Sequence, residues 1–230
     1  AVTNRLLALG EDKTSAEERE FWKRLQQKLP DLPIREVDGI RMLAPAAEFA
    51  SKHNIENPEL YAVFPFRLVS FDKENRDLGV EALHRRTDRG HRGWRQDDVF
   101  MAYLGLAEEA REYLVARASE WNKDSRFPAF WGPNYDWVPD QDHGSVLMIA
   151  LHSMVMQCEG RKIFVLPAWP RDWNVRFKLH APYQTVVSAE YAGSRLVHLD
   201  VTPPERVQDV ILGQESIDRG QETPHRAADR

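Results

Sequence analysis

Residues 122–143, NKDSRFPAFWGPNYDWVPDQDH, interleave aromatic rings with carboxylates: Trp131, Tyr135 and Trp137 stand beside Asp136, Asp140 and Asp142. That mixture suits a sugar. A sugar ring has apolar C–H faces and a rim of hydroxyls, so flat aromatic side chains pack against the faces and carboxylates accept hydrogen bonds from the rim. Glycoside hydrolysis also requires two carboxyl groups across the scissile bond, one as acid and one as base or nucleophile. The same residues fit a purely structural role, with the aromatics as core plugs and the aspartates in turns. Asp142 in particular is suited to cap a helix beginning near Gly144. A connection this long, broken by Pro, Gly and Asn, is more often functional than a mere link.

Asp97 and Asp98 form a second cluster. On a helix they fall near Trp94 and Met101, on a face that is otherwise apolar. Acids in that position either line a pocket or make buried pairs with Arg or Lys. His143 and His152 lack the i, i+4 spacing of a helical zinc pair, and no third ligand is near in sequence, so no metal and no cofactor are expected. The run HRRTDRGHRGWR (residues 84–95) could hold an anionic group, although a solvated charged loop also accounts for it. There is no G-x-S-x-G elbow, phosphate loop or dinucleotide fingerprint. The single cysteine, Cys158, ends an apolar run and reads as a small core residue; it excludes a disulfide within the chain.

The elements that must position these residues are legible in outline. Thr14 or Ser15 caps a helix through SAEEREFWKRLQQKL that Pro30 and Pro33 end. PIREVDGIRMLAP reads as a hairpin with Asp38-Gly39 at its turn. Pro58 opens a helix, PELYAVF, that Pro65 kinks or ends. Residues 77–87, 94–106 and 107–121 have helical periodicity; in the last, Ala110, Tyr113, Leu114, Ala118 and Trp121 share one face. GSVLMIALHSMVMQ is apolar nearly all round, so it belongs inside a bundle and exposes apolar surface wherever partners are lacking. Beyond it, KIFVLPAW, TVVSAEYAG and RLVHLDVTP are β-rich, the last two joined at Ala192-Gly193-Ser194.

With 230 residues, 42% hydrophobic and 29% charged, the chain can bury a real core. A net charge of -5 argues against nucleic acid as a partner. No apolar stretch is long enough to predict a membrane-spanning helix. The three expected regions are 1–160 helical, 161–212 β-rich, and 213–230 a polar tail too poor in large apolar residues to fold.

Four segments, in order and spacing, resemble glycoside hydrolase family 95, the alpha-L-fucosidase family, and its large bacterial relatives. They are PELYAVFP (58–65), RGWRQDDVFMAYLGLAEEAREYL (92–114), DQDHGSVLMIALHSMVMQ (140–157) and KIFVLPAWP (162–170). The resemblance covers residues 54–170 best. It implies a mainly α fold, the late part of an (α/α)6 barrel followed by strands of a β-sandwich. It also implies a periplasmic or secreted setting and an oligo- or polysaccharide partner. Asp142 stands where the family has its catalytic aspartate, which implies a general base activating water in an inverting hydrolysis of a terminal glycosidic bond. Trp94, Asp97, Trp131, Tyr135, Trp137, Asp140 and Glu59 are the expected sugar contacts. The chain departs from the family pattern at His143, where a Gly is expected, and before Leu60-Tyr61, where Glu56 and Glu59 replace histidines. The family's general acid lies upstream of the matched segments. The expectation is therefore either a portion of a longer protein, its open face covered by the remainder or by self-association, or a shortened relative. The alternative reading is a non-catalytic carbohydrate-binding module. A lyase on acidic sugars, with Tyr135 as base and Arg126 neutralising the carboxylate, ranks below both.

Overall fold

Ser15 shows why the first long helix starts where it does. Its hydroxyl accepts the Glu18 N–H at 3.2 Å, and the Glu18 carboxylate accepts the Ser15 N–H at 2.8 Å, so two otherwise unpaired amides are satisfied reciprocally. The computed structural model describes residues 1–49, 54–120, 123–124 and 141–213. The chain divides into two compact units, Ala1–Ser153 and Met154–Arg230.

In the first unit, α1 (Val2–Leu7) is tied to α2 (Ala16–Lys28) by Arg19, whose guanidinium donates to the Leu7 and Leu9 carbonyls at 3.0 Å each. A two-stranded antiparallel ribbon follows, β1 (Ile34–Val37) and β2 (Ile40–Leu43). Its turn needs positive φ at both central residues, and Asp38 (53°) and Gly39 (77°) supply it. Residues Pro58–Ala62 form a 3-10 turn, then come α3 (Arg76–Arg85), α4 (Asp97–Tyr103), α5 (Ala107–Ala118) and α6 (Asp142–Val155), the last crossing the boundary between units. The core gathers Met42 and Leu43 from β2, Leu60 and Val63, Leu83 from α3, and Val99 to Ala102 from α4. Phe64 and Tyr103 close it edge to face, ring centres 5.2 Å apart.

In the second unit, β3 (Met156–Glu159) and β4 (Lys162–Val165) form an antiparallel hairpin, and β8 (Val210–Leu212) adds parallel to β4. β5 (Val175–Ala181), β6 (Thr185–Ala192) and β7 (Arg195–Thr202) make an antiparallel meander. The β6–β7 connection is the two residues Gly193 and Ser194, both with positive φ. β6 alternates strictly, with Thr185, Val187, Ala189 and Tyr191 buried.

The expected mainly helical architecture is corrected by this arrangement. The described residues are mixed, 38% helical and 22% strand in three small sheets, and no large helical barrel is present among them. The physical reasons are local. A barrel of helix pairs needs long helices with continuous apolar faces, but α3 and α4 have 10 and 7 residues, and α2 has no buried residue at all. Gly105, at φ 72°, follows closely on α4, and the predicted helix after Pro58 tightens into one 3-10 turn. The strands form sheets of two and three members. The apolar run in α6 is split. Val146, Ala150 and Met154, spaced i, i+4, are buried, whereas Met148, Ile149 and Leu151 are exposed.

Gly213, expected to begin an unfolded tail, is instead tied in: its N–H donates to the Val165 carbonyl at 2.9 Å. Residues 214–230 lie outside the described residues. A Cβ on Gly213 would come within 2.1 Å of the Leu166 carbonyl oxygen, so only glycine lets the chain pass there. Gly213→Ala should lower the unfolding free energy by about 1–3 kcal/mol in urea titration, through displaced backbone rather than lost burial. An unchanged midpoint would show that the β8 end does not press on Leu166.

Candidate functional site

Asp97 and Asp98 occupy the first turn of α4, where successive side chains diverge by about 100° around the helix. Each therefore meets a different arginine. Asp97 pairs with Arg86, just beyond the end of α3, and Asp98 with Arg117, in the last turn of α5. All four side chains are buried. Burial pushes both carboxyls up, and each guanidinium pulls against that shift. Arg86 also donates to the Tyr113 hydroxyl at 3.3 Å and lies over that ring.

Arg117 does more than balance a charge. Its Nε donates to Asp98 Oδ2 at 2.7 Å and its Nη2 to Asp98 Oδ1 at 3.2 Å, a two-pronged grip. Nη1 donates to the Gly93 carbonyl at 2.8 Å, and Nη2 to the Arg95 carbonyl at 2.5 Å. One fully buried guanidinium thus holds the carbonyls of the residues on either side of Trp94. His143, in the first turn of α6, completes the clamp. Its Nδ1 accepts the Gly93 N–H at 3.3 Å, which leaves the proton on Nε2, donated to the Arg117 carbonyl at 2.9 Å. Burial holds His143 below the usual imidazole range.

Trp94, fixed in this way, lines a small cleft of about 80 Å³. Residues 94–100 form one wall, including Arg95, Gln96 and Asp97; residues 55–61 form the other, including Glu56, Asn57 and Tyr61. The Tyr61 hydroxyl donates to the Glu56 carboxylate at 3.1 Å, and Asn57 Nδ2 to the Asp88 carbonyl at 3.0 Å. Burial and the Glu56 carboxylate both push the Tyr61 phenol up. A half-buried indole beside a carboxylate and two amides can stack on an apolar ring face and bond to hydroxyls around it.

Of the residues singled out by sequence, Trp94 and Asp97 line the cleft. Asp97 is only 1% exposed and is held by Arg86, so its carboxylate is closed to a ligand. Glu59 sits half-buried in the 3-10 turn and does not line the cleft; Glu56, three residues earlier, does. Asp142 is exposed at the start of α6, next to His143. Trp131, Tyr135, Trp137 and Asp140 lie outside the described residues. Asn57, Tyr61, Gln96 and Arg117 were missed, and Arg95 was noted only as the end of the charged run 84–95. The signal for Arg117 was available: α4 and α5 are joined by a short Gly105 turn, so the start of one must lie beside the end of the other. The charged run 84–95 is also wired rather than freely solvated, with Arg86 buried and His91 and Arg92 both on Glu120.

A broader hollow of about 590 Å³ lies over the solvent face of β5–β7, lined by Arg176, Lys178, Ser188, His198 and Asp200. Their cross-strand rows are the ordinary polar face of an antiparallel sheet packed on one side only. Among the described residues no cluster of three or more His, Cys, Asp or Glu could hold a metal ion, and no helix is long and apolar enough to cross a membrane. Comparison with protein-family models and with curated proteins matches the chain to none of them.

His143 sets a pH dependence. The unfolded histidine titrates near 6.5 and the folded one lower, so the unfolded state takes up protons first as pH falls. Stability from this site is complete above about pH 6.5 and declines below it, until the folded imidazole also protonates. Urea unfolding from pH 7.5 to 5 should show that decline in the parent and a flatter profile in His143→Gln. Equal slopes would contradict a neutral, clamped His143.

Proposed function

We propose that the cleft between residues 55–61 and 94–100 binds a sugar residue of an oligo- or polysaccharide. The observation that carries this reading is the clamped indole of Trp94, held by its neighbouring peptides beside Glu56, Asn57 and Gln96. Rigid aromatic surface suits a ring face, and the polar groups around it suit hydroxyls, whose direction they select. The cleft is too small to enclose a whole sugar ring, so it fits one face or edge of a terminal unit. The family resemblance of residues 92–114 and 140–157 points to the same ligand class.

Hydrolysis is the second reading, and one observation favours it. The His143 ring bonds to Gly93, which keeps the neighbouring Asp142, exposed on α6, tethered through its chain to the Trp94 segment. Asp142 would then act as general base toward water, with the acid supplied by another carboxyl. Asp97 is unsuited to that second role, because its oxygens are buried against Arg86. Binding without cleavage is therefore the reading best supported for this chain.

A glycan array, followed by calorimetry on the best ligand, tests both. Trp94→Ala should weaken binding by roughly tenfold or more, equivalent to about 1.4 kcal/mol, without lowering the melting temperature. Undiminished binding in that variant would remove the cleft from the account. Asp142→Asn should leave binding intact, and it should abolish hydrolysis wherever hydrolysis is observed. Full hydrolysis in Asp142→Asn would end the catalytic reading.

A further inference from the structure

Charge around the cleft is matched on one side only. Asp97 has Arg86, and Asp98 has Arg117. Arg95 lines the cleft, yet among the described residues its side chain makes no ion pair, and its Nε is buried without a hydrogen-bond acceptor. Arg35 and Arg67 also bury an Nε that meets no hydrogen-bond acceptor, but they differ in their surroundings. Arg67 pairs with Asp72 at 2.8 Å, and Arg35 lies over the Phe49 ring at 5.5 Å. Among the described residues Arg95 has neither kind of compensation. Glu56 shares the cleft and directs its carboxylate to the Tyr61 hydroxyl instead.

The Arg95 side chain is also seated. A Cβ on Gly90 would lie 2.9 Å from Arg95 Cδ and 3.3 Å from its Nε, so the stem passes directly over a glycine that leaves room for it. The backbone carbonyl of Arg95 is held by Arg117. A half-buried cation fixed at both its backbone and its stem, with its Nε buried and unbonded, has lost part of its hydration without gaining a counter-charge among the described residues.

We propose that Arg95 is the anion-reading residue of the cleft, and that the sugar bound there carries a carboxylate, as a uronic acid does. This rests on reading the cleft as a glycan site. A guanidinium presents a planar fork that matches a carboxylate, and Trp94, adjacent in the chain, supplies the surface for the ring that bears it. Glu56 and Gln96 are left to take hydroxyls, and Glu56 disfavours an anion bound in the reversed orientation. The cleft thus selects both the charge of the sugar and the way it faces.

The test compares glucuronate and galacturonate oligosaccharides with their methyl esters, which keep the shape and remove the charge, by calorimetry on the full chain. The acid forms should bind about tenfold or more tightly than the esters, with affinity falling as salt rises. Arg95→Gln should erase the difference between acid and ester. Arg95→Lys should keep part of it, since charge remains but the fork is lost. Gly90→Ala, which displaces the Arg95 stem without touching its charge, should reduce the preference as well, with thermal melts confirming that each variant is folded. Equal binding of acid and ester by the parent chain would overturn the inference while leaving the glycan reading in place. Binding of neither form, with neutral oligosaccharides bound normally, would also overturn it. Binding of no saccharide at all would overturn both.

Discussion

A buried arginine that satisfies only a carboxylate is a weak source of stability, because desolvation of the two charges offsets most of their attraction. Arg117 is a different case. Its guanidinium serves Asp98 and, with its remaining donors, the carbonyls of Gly93 and Arg95. Removing it would strand a carboxylate and two peptide oxygens in the interior at once. Such a network specifies one arrangement of the 93–96 segment rather than many. The end of α5, the start of α4 and, through His143, the start of α6 are all tied to a stretch that carries no regular structure of its own.

That stretch holds the groups that face the cleft. A loop is free to present side chains, but it presents them in one geometry only if its peptide groups are committed. Here the commitment comes from behind. Trp94 and Arg95 need form no contacts of their own to be positioned, because their neighbouring backbone groups are already bonded. The ion pairs of α4 therefore act as supports, and the ligand-facing chemistry passes to Trp94, Arg95, Gln96 and Glu56.

What was legible in the sequence was local. The Ser15 capping box, the Asp38-Gly39 turn and the Gly193-Ser194 turn each depend on a few adjacent residues, and each forms where the residue types direct. The grouping of Trp94 with Asp97 was legible because only three residues separate them, although Trp94 lies before α4 rather than on it. The closing of Asp97 by Arg86 was not, because a partner 11 residues away depends on how helices pack, whereas the short Gly105 turn already placed Arg117, 19 residues on, beside Asp98. The barrel failed on the same ground. An apolar segment such as α6 reveals that surface wants to be buried, but not against what, and short helices interrupted by Gly and Pro cannot build the long pairs that a barrel needs. Residues 125–140, where the richest sugar-binding pattern lies, fall outside the described part of the chain.

The central claim is that Asp98 and Arg117 form one energetic unit, and a double-mutant cycle measures that directly. Urea unfolding of the parent, Asp98→Leu, Arg117→Met and the double variant yields the coupling free energy between the two positions. It should be about 2–3 kcal/mol, because either single change strands a buried charge while the double change strands none. Independent, additive losses from the two substitutions would contradict the account.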